Sequence, residues 1–260
     1  RVLDEAPRAE DATVARGIPR RDEAGPAPLT VQQERIWLLE ELDPSLRAAH
    51  NIPAAWRLLG AFNRSAFNAA LQQFAARHDV MRTTFAVQDG VRCQHVAGHL
   101  QVPIEYLDFS ACPEAEREDS LNRWMLEDQE RPFDLSSAPL FRCVLFKLSP
   151  EEHVLYTVRH ALIWDGWSFD LFIAEISEAY RAAQAGEPPV LASLPITYSD
   201  YAAWQREWVE GDEARRQLTW WREHLGAQPP VLELPTDHPR QVSSDYRGDR
   251  TQLWFTPDEV

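Results

Sequence analysis

Only three cysteines occur in this chain of 260 residues, and they lie far apart, at Cys93, Cys112 and Cys143. None has the close spacing of a metal site or a redox pair, so we expect reduced thiols in a cytoplasmic protein. Long apolar runs are missing as well, since no run approaches the roughly 20 residues that span a bilayer. The N-terminus has no apolar signal core either. These absences argue against a membrane partner.

Positive charge is also scarce, because 26 Lys and Arg stand against 41 Asp and Glu, a formal net charge of −15. Nucleic-acid binding needs concentrated Lys and Arg, so no nucleic-acid partner is expected. A glycine-rich loop that could hold phosphates is absent, and neither a nucleotide nor a metal is predicted. Apolar residues make up 44% of the chain and ten residues are tryptophan, which is ample for a packed core.

The chain begins with a stretch that does not look like part of a core. Residues 1–28 mix charge with Ala, Gly and Pro and show no apolar period, which is typical of an extended linker. Thr30 and Gln33 then form a capping-box pattern at the start of a predicted helix. Asn63 can cap a second helix that runs towards His78.

The remaining apolar periods alternate between strand and helix patterns. Strands are predicted at 53–59, 91–96, 102–107, 141–148 and 153–159, the last two as a hairpin. Helices are predicted at 114–129, from Ser168 as N-cap to Gly186, and from Tyr198 to about Leu225 with a break near Gly211. The combination predicts an α/β fold in which a mixed sheet is covered by helices.

Residues 159–168 (RHALIWDGWS) lie where the second strand of that hairpin ends and a helix begins. Side chains at such a loop converge on a cleft. His160 has the pKa range for acid–base work on an amine, but an interior imidazole that fixes the loop is an open alternative. Asp165 could act as a base, although a carboxylate before Gly166 is more often a structural partner of an arginine. Glycine at that point permits a close approach of substrate.

Four segments resemble, in order, the core motifs of the condensation domains of nonribosomal peptide synthetases. They are residues 29–38 (LTVQQERIWL), 77–85 (RHDVMRTTF), 159–168 (RHALIWDGWS) and 198–204 (YSDYAAW). The third segment carries the active-site pattern of the family, His-His-x-x-x-Asp-Gly, with Ala161 in place of the second histidine. Because four such segments in the right order are not a chance match, the chain is identified as a member of this family.

The resemblance assigns roles to matching positions. A histidine at position 161 would be the catalytic imidazole, which orients or deprotonates the acceptor amine, and here it is Ala161. His160 would brace the loop, Asp165 would be structural, and the Gly166 amide would line the channel and help a developing oxyanion.

Four further residues are expected to support the site. Arg82 is the expected ionic partner of Asp165, with Arg35 as second choice. Trp167 and Ser168 complete the Asp-Gly-Trp-Ser ending, which epimerisation domains usually lack. Heterocyclisation domains replace the histidines by an aspartate, so His160 argues against that relative.

The resemblance also implies an architecture. Condensation domains are pseudo-dimers of two chloramphenicol-acetyltransferase-like lobes, and the channel lies between them. Residues 1–28 would be the linker that follows a carrier protein, residues 29–240 the N-terminal lobe, and residues 241–260 the crossing into a truncated C-terminal lobe. Implied partners are the missing lobe, an adjacent adenylation domain, and donor and acceptor carrier proteins. No cofactor would be bound directly, since the carriers bring their own 4'-phosphopantetheine arms.

Ala161 leaves two origins open, a natural loss of chemistry or an engineered substitution. The other motif positions are intact, which favours engineering. In either case, we expect the chain as written to form little or no peptide bond. The leading hypothesis is therefore an amide-forming condensation domain that lacks its catalytic histidine. The alternatives are a non-catalytic domain that docks carriers or tailoring enzymes, and a stand-alone acyltransferase acting on coenzyme A thioesters. The linker-like N-terminus and the four synthetase-type motifs disfavour the acyltransferase.

Overall fold

The computed structural model of the protein describes residues 17–22, 25–229, 231–237, 253, 255 and 256. The predicted crossing at residues 241–260 therefore falls almost entirely outside the described residues, as do residues 1–16 of the predicted linker. In the described part, the strands are β1 (Ala27–Pro28), β2 (Asn51–Leu59), β3 (Thr83–Gln88), β4 (Val91–Val96), β5 (Ile104–Asp108), β6 (Phe141–Ser149) and β7 (Glu152–His160).

The helices of the same residues follow the predicted order with one short addition. They are α1 (Val31–Leu42), α2 (Leu46–Ala49), α3 (Arg64–Arg77), α4 (Glu114–Gln129), α5 (Gly166–Ala185), α6 (Tyr198–Glu210) and α7 (Asp212–Leu225). A single 3₁₀ turn, Asp79–Arg82, connects α3 to β3.

Local sequence signals set several helix ends as predicted. Thr30 caps α1 in a reciprocal capping box with Gln33, and Asn63 accepts a hydrogen bond from Ala66 N at the start of α3. Gly186 ends α5 with a φ of +71°, a left-handed conformation that favours glycine. Gly211 separates α6 from α7 at the predicted break.

The strands form two sheets rather than the single mixed sheet that we predicted. One has the order β1-β4-β3, and the other has the order β2-β7-β6-β5 with β5 parallel to β6. The strand β3 was not predicted, because its apolar residues follow the 3₁₀ turn without a separate turn signal. Since helices cover the larger sheet on both faces, the predicted α/β class is confirmed.

β7 lies inside the larger sheet, and residues 153–160 are all buried. On one of its faces, Leu155 packs with Phe74 of α3 and Phe172 of α5. On the other face, Val158 packs with Leu121 of α4. The last residues of β7 begin the motif loop. They are therefore held in a fixed position between two layers of helices.

The end of the predicted linker is attached to the folded unit. Arg20 donates through Nε to Pro195 O (2.7 Å) and through Nη2 to Leu194 O (3.0 Å). The Arg21 amide donates to Asp200 Oδ1 (2.8 Å), and β1 pairs with β4. The predicted boundary between residues 28 and 29 thus falls directly after a strand of the smaller sheet.

Candidate active site

The motif loop leaves β7 at His160, makes a turn over residues 161–163 and enters α5 at Gly166. The Ala161 amide donates to His50 O (3.0 Å), and the Ile163 amide donates to His160 O (3.0 Å). Leu162 and Ile163 are buried against Trp37 and Phe85. The position of residue 161 is therefore fixed by backbone hydrogen bonds and by the packing of its neighbours.

His160 is 1% exposed, and both of its ring nitrogens are engaged. Its Nδ1 accepts a hydrogen bond from the Leu162 amide (3.2 Å), so the ring hydrogen is assigned to Nε2. That Nε2–H donates to Glu40 Oε1 at 2.9 Å. This arrangement is what the predicted bracing role requires, and it leaves no nitrogen of His160 for a substrate.

Glu40 of α1 joins two histidines through one oxygen. Its Oε1 accepts from His160 and also lies 2.6 Å from Nδ1 of His50. The distances between these three side chains alone would allow them to bind a metal ion. However, a metal on Nε2 of His160 would require a hydrogen on Nδ1, which faces the N–H donor of Leu162. The donor set therefore fits a hydrogen-bonded brace and does not fit a divalent cation.

Asp165 is the N-cap of α5, and its contacts differ from the predicted cap and from both predicted ionic partners. Its Oδ1 accepts from the Ser168 amide (2.9 Å) and the Ser168 hydroxyl (2.6 Å), so Ser168 is the third helical residue rather than the cap. Arg82 is not its ionic partner, because that guanidinium donates to the carbonyls of Ala75, Ala76 and Ala97. The second choice is wrong too, since among the described residues no hydrogen bond or ion pair joins exposed Arg35 to Asp165.

Gly166 and Trp167 are both exposed at the start of α5. A Cβ atom on Gly166 would meet no atom within 4 Å, and the residue does not have a positive φ. The backbone therefore does not require glycine at position 166. Trp167 is 75% exposed. Neither residue borders the cleft described below.

A cleft of about 700 Å³ opens beside the motif loop. Ala161, Leu162, Trp164 and Asp165 form one wall, and α1, the start of α6 and the 3₁₀ turn form the others. His78 also borders this cleft, with its Nε2 2.7 Å from Glu175 Oε2. Of the predicted site residues, the structure brings Ala161, Asp165 and Ser168 to the cleft, whereas His160 lies behind it.

Arg159 lies behind the motif loop rather than in the cleft, and no role was predicted for it. Its side chain is fully buried on the face of β7 that packs against α5, and none of its three guanidinium nitrogens has a hydrogen-bond partner among the described residues. Its Cζ lies 4.4 Å from the ring centre of Phe169 and 4.8 Å from that of Trp164. Burial lowers the pKa of Arg159 to about 9.

Sequence reasoning also missed Glu40 and His50. A signal for Glu40 existed, because Gln33, Trp37 and Glu40 have the spacing of one helix face, and all three are buried. The leucines of this helix are the more obvious apolar signal, but Leu38 and Leu39 are 42% and 36% exposed. His50 lies in a loop between helix and strand, where no periodic signal marks it.

Removing the cap of α5 is expected to destabilise the protein moderately. Asp165→Ala loses the side-chain acceptor at the helix start, and we expect a loss of about 1 kcal/mol in the free energy of unfolding. For a chain of this size, that corresponds to a decrease of about 2–4 °C in the Tm, measured by thermal denaturation. Asp165→Asn keeps the acceptor and is expected to lose much less. Equal losses in the two variants would contradict the capping role and would indicate that charge matters instead.

Comparison with known proteins identifies the family. A sequence profile described as "Condensation domain" matches residues 23–260 of the chain. The chain belongs to the condensation-domain family. This assignment confirms the resemblance seen in the four core segments.

Relatives of this condensation domain are parts of much larger synthetases. The chain is 38% identical to the phosphinothricin tripeptide synthetase PhsC of Streptomyces viridochromogenes over 237 residues, which cover 91% of the chain and 22% of that protein. It is 40% identical to the cyclosporin synthetase simA of Tolypocladium inflatum over 226 residues, 86% of the chain and 1% of that protein. The chain thus spans only a small part of these relatives.

Solved structures show the same fold. An X-domain solved as a complex with OxyB from teicoplanin biosynthesis is 32% identical, with a TM-score of 0.75 over 89% of the chain and 50% of that chain. The first condensation domain of the calcium-dependent antibiotic synthetase is 22% identical with a TM-score of 0.69 over 78% of the chain and 48% of that chain, and it supports the fold alone. The predicted chloramphenicol-acetyltransferase-like lobe is consistent with these neighbours. In addition, no helix in the described ranges has the length and apolar character needed to cross a bilayer.

Proposed function

We propose that this chain is the N-terminal lobe of a domain that forms an amide bond between two carrier-borne thioesters, and that Ala161 makes this form nearly inactive. In the proposed reaction, the acceptor amine attacks the donor thioester carbonyl, the C–S bond breaks, and the amine proton ends on the thiol. The observation that carries the proposal is the position of Ala161. It borders the 700 Å³ cleft at a fixed point of the loop, and it has no group that can transfer a proton.

Three groups near the motif loop do not replace the missing imidazole. His160 is buried, and its two nitrogens are bound to Glu40 and Leu162. Asp165 is committed to the cap of α5. His78 borders the cleft, but its Nε2 pairs with Glu175 and its ring packs 4.3 Å from that of Phe74. These commitments support low activity in the Ala161 form.

The sequence carries the proposed domain boundaries. We propose residues 27–240 as the N-terminal lobe, which extends the predicted lobe of residues 29–240 by the strand β1, and residues 241–260 as the crossing into the C-terminal lobe. The exposed apolar residues of α7 support a covering second lobe. They are Leu218, Trp221 and Leu225, which are 50%, 48% and 52% exposed and lie on one helix face.

Carrier proteins are the proposed partners of the intact domain. Donor and acceptor carriers would present their thioesters on 4'-phosphopantetheine arms from the two sides of the channel, and an adenylation domain would supply the acceptor. The apolar walls of the cleft, which include Ile36, Leu171 and Ile196, support a neutral acyl or aminoacyl group as its occupant.

A second candidate function is the recruitment of a partner protein without chemistry. Two observations favour it, the alanine at position 161 and the 32% identity to an X-domain that forms a complex with OxyB. In this case, the lobe would use its surface and not its cleft. Binding of the partner would then be independent of the residue at position 161.

A single assay separates the two functions. The complete module is prepared with Ala161, and its loaded donor and acceptor carriers are followed by intact-protein mass spectrometry. The condensation proposal expects carrier binding, transfer at a small fraction of an active module's rate, and recovery of transfer in Ala161→His. Carrier binding without transfer in either form would overturn it in favour of recruitment.

A further inference from the structure

Arg159 is a buried cation without a counter-ion. Its side chain is fully buried, and Nε, Nη1 and Nη2 all lack an acceptor within the described part of the chain. A guanidinium presents five N–H donors, and leaving them unbonded in a protein interior is strongly unfavourable. Such a group points to a missing acceptor.

The surroundings of Arg159 are aromatic rather than polar. The ring centres around its Cζ lie 4.4–5.7 Å away and belong to Trp56, Phe141, Trp164, Phe169 and Phe172. Ring faces attract a cation, but they accept no conventional hydrogen bond from a guanidinium fork. The nearby Cys143 thiol is no counter-ion either, because burial raises its pKa to about 12 and keeps it protonated.

A second unsatisfied donor lies beside the first. The indole nitrogen of Trp164 is buried without a hydrogen-bond partner among the residues that the structure describes. Trp164 is 5% exposed, contacts the guanidinium through its ring and also borders the cleft next to Ala161. The two donor groups are therefore adjacent, and Trp164, which carries one of them, lines the cleft, whereas Arg159 lies behind it.

We propose that Arg159 and Trp164 form a carboxylate-binding site behind the part of the cleft wall that Trp164 provides. A carboxylate has two oxygens in a plane, which match the parallel N–H groups of a guanidinium. A phosphate dianion would be harder to desolvate among five rings, so a singly charged acid with an apolar body is the better occupant. The ligand would enter from the cleft by a rotation of the Trp164 side chain. This site does not depend on amide formation and would exist in either proposed function.

The test follows the two donor groups directly. The chain is labelled with ¹⁵N and titrated with acetate or with acetamide, its neutral isostere, while the Arg159 Nε–H and Trp164 Nε1–H resonances are recorded. Thermal denaturation is measured in parallel. We expect acetate alone to shift both resonances and to raise the Tm by about 3–6 °C at ten times its Kd.

Variants show whether the response comes from this site. Arg159→Met is expected to abolish the acetate response, and Arg159→Lys to weaken it because the fork is lost. Arg142→Met is the matched control on the neighbouring strand, since Arg142 already pairs with Asp128, and it should keep the response. Equal shifts with acetate and acetamide, or an acetate response that survives in Arg159→Met, would overturn the proposal.

A second pair of probes identifies the source of the carboxylate. Succinyl-pantetheine and butyryl-pantetheine differ in one terminal carboxylate. If the succinyl compound binds at least about tenfold more tightly than both acetate and the butyryl compound, the site takes the acid end of an acyl chain. If its affinity equals that of acetate, the site takes a free carboxylic acid. Neither result tests amide formation, which is measured separately by transfer between loaded carriers.

Discussion

Ala161→His in the complete domain is expected to raise the rate of amide formation by about 10²–10⁴-fold, the usual contribution of a positioned proton-transfer group. The loop that carries residue 161 is held by hydrogen bonds from its own backbone and from His160, none of which involves the side chain at 161. The new imidazole would therefore enter a site whose scaffold is already in place. The measurement is single-turnover transfer between loaded carriers.

Controls distinguish proton transfer from simple filling of space. Ala161→Gln adds a polar side chain of similar reach without an ionisable group, and it should stay close to the alanine form. The rate in Ala161→His should also rise with pH around the ordinary histidine pKa of about 6.5. Rapid dipeptide formation by the unaltered Ala161 domain would contradict the proposed role of this position.

Arg159→Met is expected to stabilise the protein by about 1–4 kcal/mol, a range taken from the replacement of buried ion pairs by apolar side chains of similar volume. Methionine fills the space of the arginine stem and removes a cation that has no acceptor among the described residues. The free energy of unfolding is measured by urea denaturation in the absence of carboxylates. Arg142→Met should have the opposite effect, because it leaves buried Asp128 with fewer partners. A loss of stability in Arg159→Met would show that its guanidinium is satisfied in solution.

The stabilisation by Arg159→Met is expected to depend on pH. Burial lowers the pKa of Arg159 to about 9 in the folded state, well below the ordinary value of arginine, so the unfolded state holds this proton more tightly. The loss of stability caused by the buried, protonated Arg159 is therefore fully present below pH 9 and decreases as the pH rises above 9. The difference between the variant and the unaltered chain should be constant from pH 7 to about pH 8.5 and should shrink towards pH 10. Comparing the two proteins cancels most of the contribution of Cys143, which both contain.

Several helix caps and helix ends could be predicted, because each depends on a few residues that are adjacent in the sequence. The capping box at Thr30, the cap at Asn63 and the left-handed glycine at Gly186 each depend on a few adjacent residues. The same local reasoning placed the cap of α5 three residues late, because Ser168 and Asp165 are both good capping residues and the capping box uses both.

The supports of the candidate site could not be predicted in the same way. Glu40 and His160 are 120 residues apart, and no pattern in either segment says that they meet. Arg82 was assigned to Asp165 because opposite charges attract, yet its guanidinium instead satisfies carbonyl groups at the end of α3. Long-range pairing is decided by how helices and sheets pack, and that information is spread over the whole chain.

The contacts of Arg20, Arg21 and β1 with the rest of the fold have a practical consequence for the design of hybrid synthetases. Arg20 holds the segment before α6, the Arg21 amide bonds to Asp200, and β1 supplies an edge of the smaller sheet. A recombination junction placed at residue 29, where the linker composition ends, would cut through these contacts and remove the strand that pairs with one edge of β4. A junction upstream of Arg20 would transplant the lobe together with its own edge strand.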